Sequence, residues 1–108
     1  MTDEKDINRA RMAMQQALRG INREIIHAQV PELHLETLKP FFTLVAKARG
    51  LYIKKLLEIA NSSGNKMPSD EQVKELSLLR RSYDELLNGG HIIETAIERG
   101  YIDVDKVR

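Results

Sequence analysis

The stretch FFTLVAKARGLYIKKLLEIA, residues 41–60, follows Pro40 and decides the fold. Wound as a helix at 100° per residue, it is apolar on more than one side. Phe41, Val45, Ala48, Tyr52, Leu56 and Ile59 form one stripe. Phe42, Ala46, Ile53, Leu57 and Ala60 form a second. A surface helix ordinarily buries a single stripe. A helix with two needs cover from two directions, from its own chain or from a second copy. The expectation is therefore a helix at the centre of the structure and self-association through its second stripe. Phe42, Ala46, Ile53 and Leu57 are the candidate contact residues, with Phe42 as anchor because aromatic side chains dominate interface energetics.

Working outward, the preceding segment from about Asp3 to Gln29 reads as one long helix. Ile7, Met14, Leu18, Ile21, Ile25 and Ala28 recur at helical spacing. Asp3, Glu4 and Asp6 stand at its N-terminal end, where negative charge complements the helix dipole. Val30-Pro31 ends it, since a residue before proline is disfavoured in the α region. Pro31 to Leu38 suits a short helical turn. Pro40 then opens the second helix, which runs to about Asn61, with Thr37 or its neighbours as cap.

On the other side, Ser62 to Pro68 is a loop of turn-forming residues. A third helix starts at Ser69, where Ser69 and Gln72 have capping-box spacing. Val73, Leu76, Leu79, Tyr83, Leu86 and Leu87 are its apolar stripe. Asn88-Gly89-Gly90 is expected to stop it. A short fourth helix then covers about His91 to Arg99, with Gly100 as the residue beyond its end. Tyr101 and Ile102 can fold back on the bundle. The expected fold class is all-α: an antiparallel three-helix bundle with a short fourth C-terminal helix, in a single domain over residues 1–108.

Arg19-Gly20-Ile21 and Arg49-Gly50-Leu51 are equidistant from the middle of the first connection. In an antiparallel pair both glycines would fall roughly 20 Å from the turn. Beside the main stripe of the first helix, Ala10, Ala13, Ala17 and Gly20 make a small-residue seam. A close helix approach along it would compensate the roughly 1 kcal/mol that a mid-helix glycine costs.

Composition narrows the function classes. The 108 residues hold 17 Lys+Arg against 16 Asp+Glu, a net charge of +1, and no cysteine or tryptophan. Without cysteine there is no disulfide or thiolate chemistry, which fits a reducing, cytoplasmic setting. The charged opening TDEKD lacks the apolar core of a secretory signal, so the Asn61-Ser62-Ser63 sequon is discounted. No run approaches the ~20 apolar residues of a membrane span, so no membrane partner is expected.

Candidate chemistry is sparse. Glu24-Ile-Ile-His27 puts a carboxylate and an imidazole on one helix face, as in di-iron bundles. Those bundles need two such motifs and two further glutamates. Glu58, Glu75, Glu85 and the reversed His91-Ile-Ile-Glu94 are the remaining donors, so a metal would require a second copy of the pair across a dimer. No metal or other cofactor is expected. Glu32, His34 and Glu36 alternate in the first connection, where an exposed loop is the plainer reading. His91 would need a nucleophile and an orienting acid to act as a base. Phosphate-binding, dinucleotide, zincin and nucleophile-elbow motifs are all missing. No catalytic residue is assigned.

The segment Lys39 to Ser62 carries five basic residues against one acid, Glu58. Lys47 and Lys54 point the same way, whereas Arg49 and Lys55 project into the apolar arcs and read as stems over apolar surface. A nucleic-acid surface would gather more cations than this. The reading is thus a non-enzymatic helical protein–protein interaction module, a homodimer through the central helix. The alternative is a small nucleic-acid-associated regulator that uses Lys47 and Lys54.

Overall fold

The computed structural model describes residues 3–62 and 64–105. Among them the chain is mostly helical. Helix α1 covers Glu4–Gln29, strand β1 Glu32–Leu33, α2 Leu35–Ser62, α3 Asp70–Glu98 and strand β2 Asp103–Val104. No fourth helix is found among the described residues.

Helices α1 and α3 begin where local chemistry satisfies orphan N–H groups. In α1 the Asp6 N–H donates to Asp3 Oδ1 at 2.9 Å, so Asp3 is the N-cap. At α3 the expected capping box is present in both directions. The Gln72 N–H donates to Ser69 Oγ at 3.2 Å, and the Ser69 N–H donates to Gln72 Oε1 at 2.9 Å.

Helix α2 starts earlier than its sequence suggests. The expected helical turn over Pro31 to Leu38 is replaced by β1 and then by the first turn of α2. Pro40 lies inside the helix rather than opening it. Pro40 is the sixth residue of α2, just past the first turn, so it removes one backbone bond, the one to the Glu36 carbonyl. Lys39 Nζ reaches Glu36 Oε1 at 2.9 Å across this turn.

Helix α3 does not stop at Asn88-Gly89-Gly90. It continues through the glycines to Glu98 and absorbs the expected fourth helix. The reason is packing. A Cβ on Gly90 would stand 3.4 Å from Phe41 Cε1, and one on Gly89 3.9 Å from Phe41 Cζ. The bare backbone of α3 thus gives the Phe41 ring a flat seat, which offsets the helix-propensity cost of two glycines.

The end of α3 is a Schellman motif. Tyr101 N–H donates to the Ala96 carbonyl at 2.8 Å, and Gly100 N–H to that of Ile97 at 3.0 Å. Gly100 has φ +74°, a left-handed conformation that suits glycine.

Two compact units are separable. The first comprises the described residues up to Leu35 and from Ile93 onward. Ala96, Tyr101 and Ile102 are its buried core, with Ile26, Val30 and Leu33 packed against them. Tyr101 and Ile102 do fold back, onto the end of α1. The unit also adds a small β element to the expected all-α class. β1 pairs with β2 in parallel, Glu32 beside Asp103 and Leu33 beside Val104. The Asp105 N–H extends the ladder to the Leu33 carbonyl at 2.8 Å.

The second unit, Glu36–Ile92, is a helical hairpin in which α2 packs on α3. Its contacts run antiparallel. Phe41 meets Gly90, Arg49 meets Tyr83, and Lys55 meets Glu75. Gly64, at φ +61°, turns the chain between the helices. Gly20 and Gly50 do not mark a close helix approach, since a Cβ on either would meet nothing within 4 Å.

Candidate functional site

The hairpin sorts the apolar arc of α2 into covered and bare parts. Phe41, Val45, Ala48 and Tyr52 are half-buried and Ile59 is buried, whereas Leu56 remains exposed. These residues belong to the first stripe, the one that faces α3. The second stripe is bare in the single chain: Phe42 is 53% exposed, Ile53 48% and Leu57 58%, and Ala46 is also exposed. Leu44 and Leu51 stand exposed on the opposite edge of the arc. One neighbouring helix therefore covers the middle of an arc too wide for it.

Three contacts hold this flank in place. The Phe42 ring meets Phe41 edge-on, with centroids 6.3 Å apart and planes at 63°. Arg49 Nε donates to Tyr83 Oη at 3.0 Å, and its guanidinium carbon lies 5.4 Å from the Tyr83 ring centre. Lys55 pairs with Glu75 on α3. The hydrogen bond from Lys55 to Glu75 raises the ammonium pKa, with smaller help from the charges of Glu75 and Glu58 and against partial desolvation. A cavity of about 710 Å³ opens at the loop end of the flank, among Lys55, Leu57, Ile59, Ser62 and Gln72.

The cations of α2 do not gather into a phosphate-tracking surface. Arg49 and Lys55 are engaged with α3 through their charged heads, which bond Tyr83 and Glu75 rather than standing free in water. Lys54 has Glu58 at 3.9 Å. Lys39 pairs with Glu36 at 2.9 Å.

The donors of the first unit settle into a different pattern from the sequence motif. Glu24 is exposed, and the neighbour of His27 is Asp103, with Nε2 to Oδ2 at 3.4 Å. Arg23 joins the same carboxylate with two prongs, Nη1–Oδ1 at 2.8 Å and Nη2–Oδ2 at 3.0 Å, and Nη1 also donates to the Gly100 carbonyl. His34 Nδ1 lies 3.1 Å from Asp105 Oδ2. Glu36 turns instead to Lys39, so Glu32, His34 and Glu36 do not converge. No group of three His, Asp or Glu side chains among the described residues is placed to hold a metal ion. Arg23, Asp103 and Asp105 escaped the sequence reading because nothing local links positions about eighty residues apart.

No helix of the described chain is long and apolar enough to cross a membrane. No family model, curated protein or solved structure matches this chain. The site is therefore interpreted from its own residues.

Proposed function

We propose that this chain is a non-enzymatic helical interaction module that self-associates through the second stripe of α2, as a homodimer in a cytoplasmic setting. One observation carries the reading: Phe42, Ile53 and Leu57 lie on one side of α2 and are about half exposed, while the stripe beside them is half-buried or buried except at Leu56. Contiguous bare apolar surface of this kind marks an interaction site. The antiparallel three-helix bundle of α1, α2 and α3 belongs to the same reading, supported by the packing of α2 on α3. A nucleic-acid role for Lys47 and Lys54 has less support, since Lys54 is partnered by Glu58.

Light scattering on the size-fractionated protein tests this. The wild-type chain should exceed the monomer mass, and Ile53→Asp combined with Leu57→Asp should lower it without loss of helicity. A wild-type monomer at high concentration would refute the proposal.

A further inference from the structure

Helix α1 leaves a second apolar face without cover. Ile7, Met14 and Ile21 are spaced by seven, and Leu18 and Ile25 fill the alternate positions of the same heptad. That 3.5-residue repeat is the pattern of a coiled-coil seam rather than of a helix buried on one broad face. All five side chains are between 48% and 62% exposed, and α1 has no buried residue. The first unit uses the other side of the helix. Arg23, Ile26, His27 and Val30 face the C-terminal segment, and at 100° per residue the seam lies away from them; Asn22, which reaches Tyr101 Oη, stands at the border between the two faces.

From this we infer that the α1 seam is a second self-association surface and that its occupant is the same helix of another copy, laid antiparallel. Three observations select a copy of this chain. The seam is flanked by Asn8, Gln15 and Asn22 on one side and by Ala10, Ala17 and Glu24 on the other; antiparallel pairing sets each Glu24 near the partner's Ala10, so two identical faces meet without like-charge repulsion, and the alanines permit a close approach. The area also suffices. Five large half-exposed side chains and their rim amount to something on the order of 600 Å² per protomer, near the lower end of specific interfaces. Finally, Arg11 stands within the seam. A parallel pair would set Arg11 against the partner's Arg11, whereas an antiparallel pair places the two far apart with each head free to reach water. This surface does not depend on the α2 flank. The α2 contact makes the homodimer, and a second self-complementary face on α1 joins such dimers into larger assemblies.

The cysteine-free chain makes the test clean. Ala17 lies one residue from the midpoint of the seam, so under mild oxidation Ala17→Cys should form a disulfide with the partner's Cys at that position. Ala10→Cys should not, because antiparallel pairing separates the two copies by about 18 Å. Separately, Leu18→Glu should lower the solution mass of the full chain, and Ile53→Asp should lower it independently. Failure of the Ala17→Cys cross-link, or cross-linking at both positions, overturns the antiparallel seam. So does a wild-type mass for a helical Leu18→Glu variant. A working Ala17→Cys cross-link with no effect of Ile53→Asp would sustain the seam and defeat the α2 reading instead.

Discussion

Arg23 and Asp103, eighty positions apart, meet in a two-pronged salt bridge with both N–O distances at or below 3.0 Å. Paired prongs fix orientation as well as distance. Together with the parallel β1–β2 pairing, this bridge holds the C-terminal segment against the end of α1, where Tyr101 and Ile102 are buried. Both partners are substantially exposed, so the bridge aligns the segment more than it stabilises it.

Acid should loosen this attachment. The hydrogen bond from Arg23 holds the Asp103 carboxyl below its usual range, assisted by the charges of Arg23 and His27 and opposed by partial desolvation. A depressed carboxyl favours the folded arrangement above its unfolded pKa of about 3.9, and the benefit disappears as pH falls through the lower folded value. Protection of the Asp105 amide, measured by hydrogen exchange, should thus persist to about pH 4 and drop on further acidification. Asp103→Asn should show lower protection at neutral pH and no such acid step.

The glycine pair in α3 should respond unequally to substitution. At Gly89 a methyl group would meet Phe41 at ordinary contact distance, 3.9 Å. Gly89→Ala should raise stability by about 0.5–1 kcal/mol through helix propensity. Gly90→Leu should lower it by about 1–3 kcal/mol, because the larger side chain collides with the Phe41 ring. Urea melts of the two variants would show opposite displacements of the midpoint.

Gly20 makes a simpler prediction. A Cβ there meets open space, and the position lies off the α1 seam. Gly20→Ala should stabilise the chain by about 1 kcal/mol in thermal or urea melts, with no change of solution mass. A loss of stability would mean that another helix packs on that point after all.

The Arg49–Tyr83 contact combines a hydrogen bond with cation–π geometry in the hairpin. Tyr83→Phe keeps the ring and removes only the acceptor, so it should cost about 0.5–1 kcal/mol. Arg49→Ala loses both interactions and should cost more. A double-mutant cycle read by urea unfolding would give a coupling near zero if the contact is absent in solution.

Helix starts and stops were legible because their causes are local. Asp3 at the head of α1, the Ser69–Gln72 pair and Gly100 each act within a few residues of themselves. The misplaced boundaries are those where distant packing or pairing outweighed a local signal. Gly89-Gly90 reads as a stop until the Phe41 ring is set against it, and Pro40 reads as a start until the helix is seen to begin at Leu35.

By itself the sequence determined three long helical periodicities, the acidic head of α1, the capping box of α3 and the excess width of the apolar arc on α2, because these follow from side-chain spacing along the chain, whereas Thr37, expected to cap α2, lies inside it. Only the tertiary structure decided which part of that arc α3 covers, that the C-terminal segment pairs with β1, and that Asp103 rather than Glu24 is the neighbour of His27. Those are contacts between residues far apart in the chain. Their partners are selected by packing and charge in three dimensions, and no short-range pattern records that selection.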